Sequence, residues 1–255
     1  MALRFASLGS GSSGNGLVVE RGRTRVLLDC GFTLGDTAFR LGRLGLVPGD
    51  LAAILVTHEH TDHLGGVARF ARRHAIPVHL TRGTALSLPL DFPASLVRFV
   101  DPHAAFEVDE LLVDPFPVPH DAREPVQYAF SDGDARLAVV TDLGMSTPHV
   151  EEKLTGCDAL VLECNHDAGL LERGSYPRSL KDRIGGRFGH LDNAAAAAIV
   201  ARIDCSGLEH ILAAHLSKEN NRPELAVQAL AGALGCEASW IGVSTQDEGF
   251  AWRGV

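Results

Sequence analysis

The run Thr57-His58-Glu59-His60-Thr61-Asp62-His63-Leu64-Gly65-Gly66 gathers three imidazoles and the Asp62 carboxylate within six residues, directly after the apolar stretch Ala53-Ile54-Leu55-Val56. The apolar stretch reads as a short buried strand. Side chains in extended backbone alternate with period two, so His58 and His60 point the same way. Asp62 and His63 fall in the following turn, where they can face a second ion. Mixed imidazole and carboxylate donors suit Zn, Mn or Fe. A lone histidine is more often structural, but four donors at the end of a buried strand are a metal site.

Working outward from this cluster, strands are expected at residues 3–8, 16–20 and 24–29, with Arg21-Gly22-Arg23 as a turn. The loop Gly9 to Gly16 is built from Gly, Ser and Asn; it can turn N–H groups and hydroxyls toward an anion or serve only as a tight turn. Downstream, residues 64–74 read as a helix and 78–80 as a strand. Strands are then expected at 111–118, 127–131, 136–141 and 159–163, a helix at 193–203, a strand at 210–214 and a helix at 223–234. Residues 238–241 and 248–252 read as a closing hairpin. Strands followed by helices, twice over, predict an α/β fold of sheets covered by outer helices. No linker, repeat or composition break divides residues 1–255, which predicts one domain.

The chain of 255 residues carries a net charge of -9, which lowers the expectation of nucleic-acid binding without excluding it. Two divalent ions would add positive charge where a phosphate sits. The 12 histidines favour metal chemistry. Five cysteines, an odd number without a Cys-x-x-Cys pair, suit a reducing compartment. No apolar run reaches the ~20 residues of a membrane span, and no basic-then-apolar leader opens the chain. A cytoplasmic protein away from membranes is the expectation.

His-x-His-x-Asp-His after a strand resembles the signature of the metallo-β-lactamase superfamily, whose fold is an αββα sandwich of two sheets flanked by helices. The resemblance extends along the chain to Asp29, His120, Asp142 and His215, each ending a β-like run in the right order. It implies His58, His60 and His120 on one ion, Asp62, His63 and His215 on the other, and Asp142 between them. Asp29 would orient the histidines from behind. Two divalent ions, Mn or Zn, would hold a hydroxide and clamp attacking and leaving oxygens.

Fold alone does not choose among the thioesterases, lactonases, β-lactamases, oxidoreductases and nucleases of the superfamily. Gly189-His190-Leu191-Asp192-Asn193 is similar to the nuclease branch, where such a histidine meets the scissile phosphate or protonates the leaving oxygen. Glu163 matches a glutamate that pairs with that histidine in tRNA-processing members. Asp62, Glu163 and His190 are therefore the catalytic candidates. Together with the Ser10 to Asn15 loop and His215-Leu216-Ser217 with Asn220-Asn221, the chain resembles the bacterial YycJ (WalJ) family. That resemblance implies a 5′→3′ DNA exonuclease, with Ser10, Ser12, Ser13, Asn15, His190, Ser217 and Asn220 as substrate contacts. Asp192 departs from the Ser more common there, and a carboxylate would repel phosphate. Arg173, Arg178, Lys181, Arg183 and Arg187, with Tyr176 among them, read as a turn-like basic strip able to guide a nucleic-acid backbone. The rivals are a carbonyl hydrolase of the same fold, a lactonase or thioesterase, and a metal-binding protein without catalysis.

Overall fold

In the computed structural model, which describes residues 2–255, the chain forms two seven-stranded sheets packed face to face. The first sheet comes from the N-terminal half: β1 (Leu3–Gly9), β2 (Gly16–Arg21), β3 (Thr24–Leu28), β4 (Ala53–Leu55), β5 (Val78–Leu80) and β6 (Val97–Phe99), laid side by side in that order. The second is β7 (Phe106–Val108), β8 (Leu111–Pro117), β9 (Val126–Ser131), β10 (Arg136–Val140), β11 (Ala159–Glu163), β12 (His210–Ala214) and β13 (Gly242–Val243). The last strand, β14 (Phe250–Gly254), returns to the first sheet beside β1.

Period-two alternation explains the layering. Leu17 and Val19 enter the core between the sheets, whereas Val18 faces the outer core under the helices. Leu137 and Val139 likewise face inward while Ala138 and Val140 face the opposite helical layer. Helices α1 (Leu34–Arg43), α2 (Thr61–Leu64) and α3 (Val67–His74) cover the first sheet through Leu41, Leu64, Val67 and Phe70. The chain continues through α4 (Arg82–Ala85). The second sheet is covered by α5 (Pro148–Leu154), and beyond α6 (Ala168–Arg173) and α7 (Arg178–Ile184) by α8 (Asn193–Val200) and α9 (Pro223–Leu234). The result is the expected αββα sandwich.

Several expectations are corrected. The helix expected over 64–74 is broken at Gly65-Gly66, because the Gly66 N–H donates to the Cys30 carbonyl and a Cβ there would lie 1.9 Å from the Phe32 oxygen. The expected closing hairpin does not exist: residues 238–240 form a 3-10 turn, β13 joins the second sheet, and β14 joins the first. The basic strip is not turn-like throughout but holds α7, and acids pair with two of its five cations. Arg178 pairs with Glu172 and Asp182, Arg183 with Asp121, and the Lys181 ammonium donates to the Glu172 carbonyl.

All five cysteines are free thiols. Burial pushes Cys30 up to about 12 and Cys157 up to about 11, and raises Cys164 as well. Since the thiolate is the reactive species, only the half-buried Cys205 and Cys236 should react with an aromatic disulfide reagent in minutes, and five thiols should titrate after denaturation. Rapid reaction of more than two in the native protein would contradict this packing. Among the described residues, no helix is long and apolar enough to cross a membrane.

Candidate metal centre

Strand register places the site. β3 and β4 run parallel, as do β10, β11 and β12, and the polar residues follow the carboxyl ends of these strands. Such ends are where open α/β sheets place ligands. Asp29 follows β3, Thr57 and the histidine run follow β4, His120 follows β8, Asp142 follows β10, Glu163 ends β11 and His215 follows β12. Asp29 and His215 both carry positive φ, 58° and 54°, which is costly for residues with a Cβ and is held by the surrounding structure. Gly31 permits the approach of the two halves of the motif, since a Cβ there would lie 1.8 Å from the Asp62 carbonyl oxygen.

The donors named from the sequence lie together. One group is His58, His60 and His120; a second is Asp62, His63 and His215; and Asp142 stands with His58 and His63, and again with His190 and His215. Four imidazoles have their Nδ1 held from behind: His58 by the Thr57 hydroxyl at 2.9 Å, His63 by Asp29 at 2.7 Å, His120 by the Gly189 carbonyl at 2.9 Å and His215 by Glu163 at 2.9 Å. These partners fix the tautomer and leave Nε2 facing the cluster. His60 is turned the other way, with Nδ1 3.3 Å from His120 Nε2 and Nε2 toward Asp121 at 3.8 Å.

The donor set fits divalent cations. The buried atoms His58 Nε2 and Asp142 Oδ2 receive no hydrogen bond. His63 donates its Nδ1 proton to Asp29, so its neutral Nε2 is a lone pair 3.1 Å from Asp142 Oδ2 and 3.3 Å from Asp62 Oδ2. Facing lone pairs at such distances are resolved by protons or by a cation, and buried charges are tolerated only when paired. Burial lowers His58 and His120. Burial also opposes protonation of His63 and His215, but Asp142, with Asp29 for the one and Asp62 and Glu163 for the other, outweighs it and holds both above the usual imidazole range. Metal ions and protons therefore compete for one set of atoms.

Glu163 does more than its sequence context foretold. Its fully buried carboxylate accepts from the backbone N–H groups of Leu143 at 2.8 Å and Leu191 at 3.1 Å through Oε2. Through Oε1 it meets His190 Nδ1 at 2.8 Å and His215 Nδ1 at 2.9 Å. Burial disfavours the charged form of Glu163, but His190 and His215 more than compensate. His190 is raised in turn: burial pulls it down, and Glu163 and Asp142 overcome that pull.

The expected substrate loop divides. Ser12 is exposed and lines a cavity of about 420 Å³ over the donors, together with His190 and Ser217. Ser13 is exposed, and its N–H donates to Gln246. Ser10 and Asn15 are turned inward instead. The Ser10 hydroxyl accepts from His215 N at 2.9 Å, and the Asn15 amide lies 3.2 Å from Asp62 Oδ2 and 3.1 Å from His63 Nε2. Their polar atoms are spent on the donors, not presented to a phosphate. Asn220 is buried and does not line the cavity, and the Asp192 carboxylate caps α8 by accepting from the Ala195 N–H at 2.7 Å. Sequence reasoning missed Asp121, whose carboxylate joins His60 and His120 to Arg183, because nothing local marks a loop aspartate as facing a metal site.

Comparison with known proteins places this geometry. A family model described as the β-lactamase superfamily domain matches residues 24–215. The protein named exodeoxyribonuclease YycJ of Bacillus anthracis is 35% identical over 92% of this chain and 90% of its own. Exodeoxyribonuclease WalJ of Streptococcus pneumoniae is 31% identical over 95% of this chain and 92% of its own. Among solved structures, the metallo-β-lactamase fold protein YhfI of Bacillus subtilis superposes with a TM-score of 0.75 at 14% identity, covering 99% of this chain and 100% of that one. Zn(2+)-bound PqqB of Methylobacterium extorquens gives 0.73 at 18% identity, with the same coverage. At these identities the structural likeness speaks for the fold alone.

Proposed function

Because the chain belongs to the β-lactamase superfamily and to its YycJ-like family, we propose that it is a metal-dependent phosphodiesterase, a cytoplasmic 5′→3′ exodeoxyribonuclease. The observation that carries this reading beyond family membership is the Glu163–His190 pair, 2.8 Å apart at the edge of the donor cluster. In this reading His58, His60 and His120 would hold one divalent ion and Asp62, His63 and His215 the other, with Asp142 available to both. Bound ions, Mn or Zn, supply Lewis acidity that activates water and neutralises the phosphoryl oxygens. The remaining work belongs to side chains. Glu163 takes the Nδ1 proton of His190 into a hydrogen bond, which leaves Nε2 as the atom that gives a proton to the departing sugar oxygen. The carboxylate keeps the imidazolium populated above its ordinary range, as that role requires. Ser12 and Ser217 offer hydroxyls to the phosphate from the facing rim, and residues 1–255 act as one domain.

The test is digestion of end-labelled, 5′-phosphorylated single-stranded and duplex DNA with Mn or Zn by wild type and by His60→Ala. Stepwise, metal-dependent loss of nucleotides from the 5′ end, absent in the variant, is the expected result. Cleavage of thioester or lactone substrates, with DNA and RNA untouched, would transfer the site to the carbonyl hydrolases.

A further inference from the structure

The cavity over the donors is lined by three carboxylates, Asp62, Asp121 and Asp142, and, among the described residues, by one Lys or Arg side chain, Arg183 of α7. Asp62 and Asp142 belong to the donor groups, whereas Asp121 belongs to none of them. Left alone, the Asp121 carboxylate would repel an anion approaching the donors. Arg183 cancels that charge by donating its Nε–H to Asp121 Oδ2 at 2.5 Å. Stability does not account for the pair, because the Arg183 side chain is 58% exposed and exposed ion pairs add little to a fold.

That contact uses only part of the guanidinium. Its two terminal Nη groups have no acceptor among the described residues, so their N–H bonds stay free in one plane. The plane is fixed from both ends of the residue. At the backbone end, a Cβ on Gly189 would lie 2.2 Å from the Arg183 carbonyl oxygen. The next carbonyl, that of Ile184, accepts from the His190 N–H at 2.8 Å. At the far end, Asp121 donates its N–H to the Phe188 carbonyl at 2.8 Å, and its Oδ1 lies 3.5 Å from His120 Nε2. His120 is itself held by the Gly189 carbonyl. One short ring of contacts therefore ties Arg183 to a donor histidine and to the turn that carries His190.

On the premise that this site cuts phosphodiesters, we infer that Arg183 binds the substrate: its Nη groups donate to a non-bridging oxygen of the phosphodiester seated on the donors, and Asp121 is the positioning residue that aims them. A guanidinium anchored through Nε presents its fork already oriented, and a charge-assisted hydrogen bond to phosphate is about twice as strong as a neutral one. The contact tightens as charge builds on the phosphoryl oxygens, so Arg183 acts on kcat as well as on KM. It also gives the cavity a preferred sign of charge. A diester anion gains this contact and a neutral carbonyl substrate does not. Contacts of this kind read the backbone and carry no base preference.

The experiment compares Mn-loaded wild type, Arg183→Ala, Arg183→Lys and the double variant Arg183→Ala/Asp121→Asn. Arg202→Ala, which removes a surface cation paired with Glu151, is the control for lost charge. The substrates are 5′-phosphorylated duplex DNA and bis(4-nitrophenyl) phosphate, which carries one phosphate and no neighbour. Where the small diester is not cleaved, it serves as a competitor of DNA. Hydrogen bonds to charged groups correspond to about 10–150-fold. Arg183→Ala should lose that factor in kcat/KM on DNA and a like factor on the small diester, in rate or in inhibition constant. Arg183→Lys keeps the charge without the fork and should recover part of the loss, while Arg202→Ala should match wild type. Metal per chain should stay at the wild-type level in Arg183→Ala, which separates a lost contact from a lost site. Guanidinium far below denaturing concentration, set against NaCl of equal ionic strength, should restore part of the rate to Arg183→Ala. It should restore none to the double variant, where the anchoring charge is gone, and a merely structural Asp121 would not produce that difference. A loss confined to DNA, or an Arg183→Ala protein as active as wild type, overturns the assignment while the nuclease reading stands. Failure of metal-loaded wild type to cut DNA overturns both.

Discussion

Asp142→Asn should purify as a folded protein, bind divalent metal far more weakly and lose about a thousandfold or more of its metal-dependent activity, at or beyond the ~10²–10³ that follows removal of one charge-stabilising donor. Its carboxylate reaches both groups of imidazoles: His63 Nε2 at 3.1 Å, His215 Nδ1 at 3.4 Å and His120 Nε2 at 3.7 Å. An isolated buried carboxylate costs several kcal/mol, and Asp142 is buried with one oxygen free of any hydrogen bond. Only positive charge around it, from imidazolium or metal, makes that arrangement tolerable. Asparagine keeps the shape and removes the charge, so bound ions would lose the group proposed to serve both. In metal-free protein the same substitution has a pH signature. The imidazoles of His63 and His215, raised from an ordinary 6.5, contribute stability below that pH and lose it as the pH climbs through their raised values. Asp142 itself, held well below an ordinary 3.8, contributes above that pH and loses its share on acidification. The stability gap between metal-free wild type and variant should therefore be widest between about 4 and 6.5 and narrow on either side. Elemental analysis, DNA digestion and thermal unfolding across pH check the three parts. Full metal stoichiometry and activity in Asp142→Asn would sink the shared-carboxylate assignment.

The sequence revealed the donors more readily than the residues that aim them. His58, His60, Asp62 and His63 fall within six residues and follow a recognisable buried strand, so the local pattern sufficed. Asp29, His120, Asp142 and His215 were legible through the resemblance to the superfamily, which they match in order, each at the end of a β-like run. Among these runs the parallel pairings of β3 with β4 and of β10, β11 and β12 bring Asp29, Asp142 and His215 to the edge where the histidine run lies. What periodicity does not carry is direction across the sheet. Nothing in the loop Ser10 to Asn15 foretells that Asn15 turns inward onto Asp62 and His63. The α7 segment failed for a different reason. Its cations suggested a turn-like basic strip open to a nucleic-acid backbone, yet their partners lie partly at long range, as Asp121 does for Arg183, and its apolar residues number too few for a helical period to declare itself. The tail was misjudged because β13 and β14 are neighbours in sequence but edges of different sheets.

Glu163 is where that hidden geometry bears most directly on chemistry, and Glu163→Gln should separate its roles. The side chain makes four hydrogen bonds, two to backbone donors and two to imidazole Nδ1 atoms. A glutamine can satisfy Leu143 N and Leu191 N with its one oxygen, which leaves its amide N–H groups facing His190 and His215. Both Nδ1 atoms must then become acceptors, and the protons move to Nε2. On His215 a protonated Nε2 cannot bind a cation, so metal affinity at that position should fall by about 10–100-fold, as for other orienting partners of ligating histidines. On His190 the change removes the carboxylate that raises it, and catalysis should fall by about 10²–10⁴ if proton donation is its role. The two effects come apart with metal in excess. Saturating Mn should restore occupancy but not rate, and the descending alkaline limb of the pH–rate profile should move to lower pH, because the acid form of His190 is lost earlier. Glu163→Ala should be worse in another way, leaving Leu143 N and Leu191 N buried without acceptors at about 1–3 kcal/mol each. A Glu163→Gln enzyme whose rate recovers fully at high Mn, with an unshifted alkaline limb, would reduce Glu163 to a holder of His215 and remove His190 from the proton path.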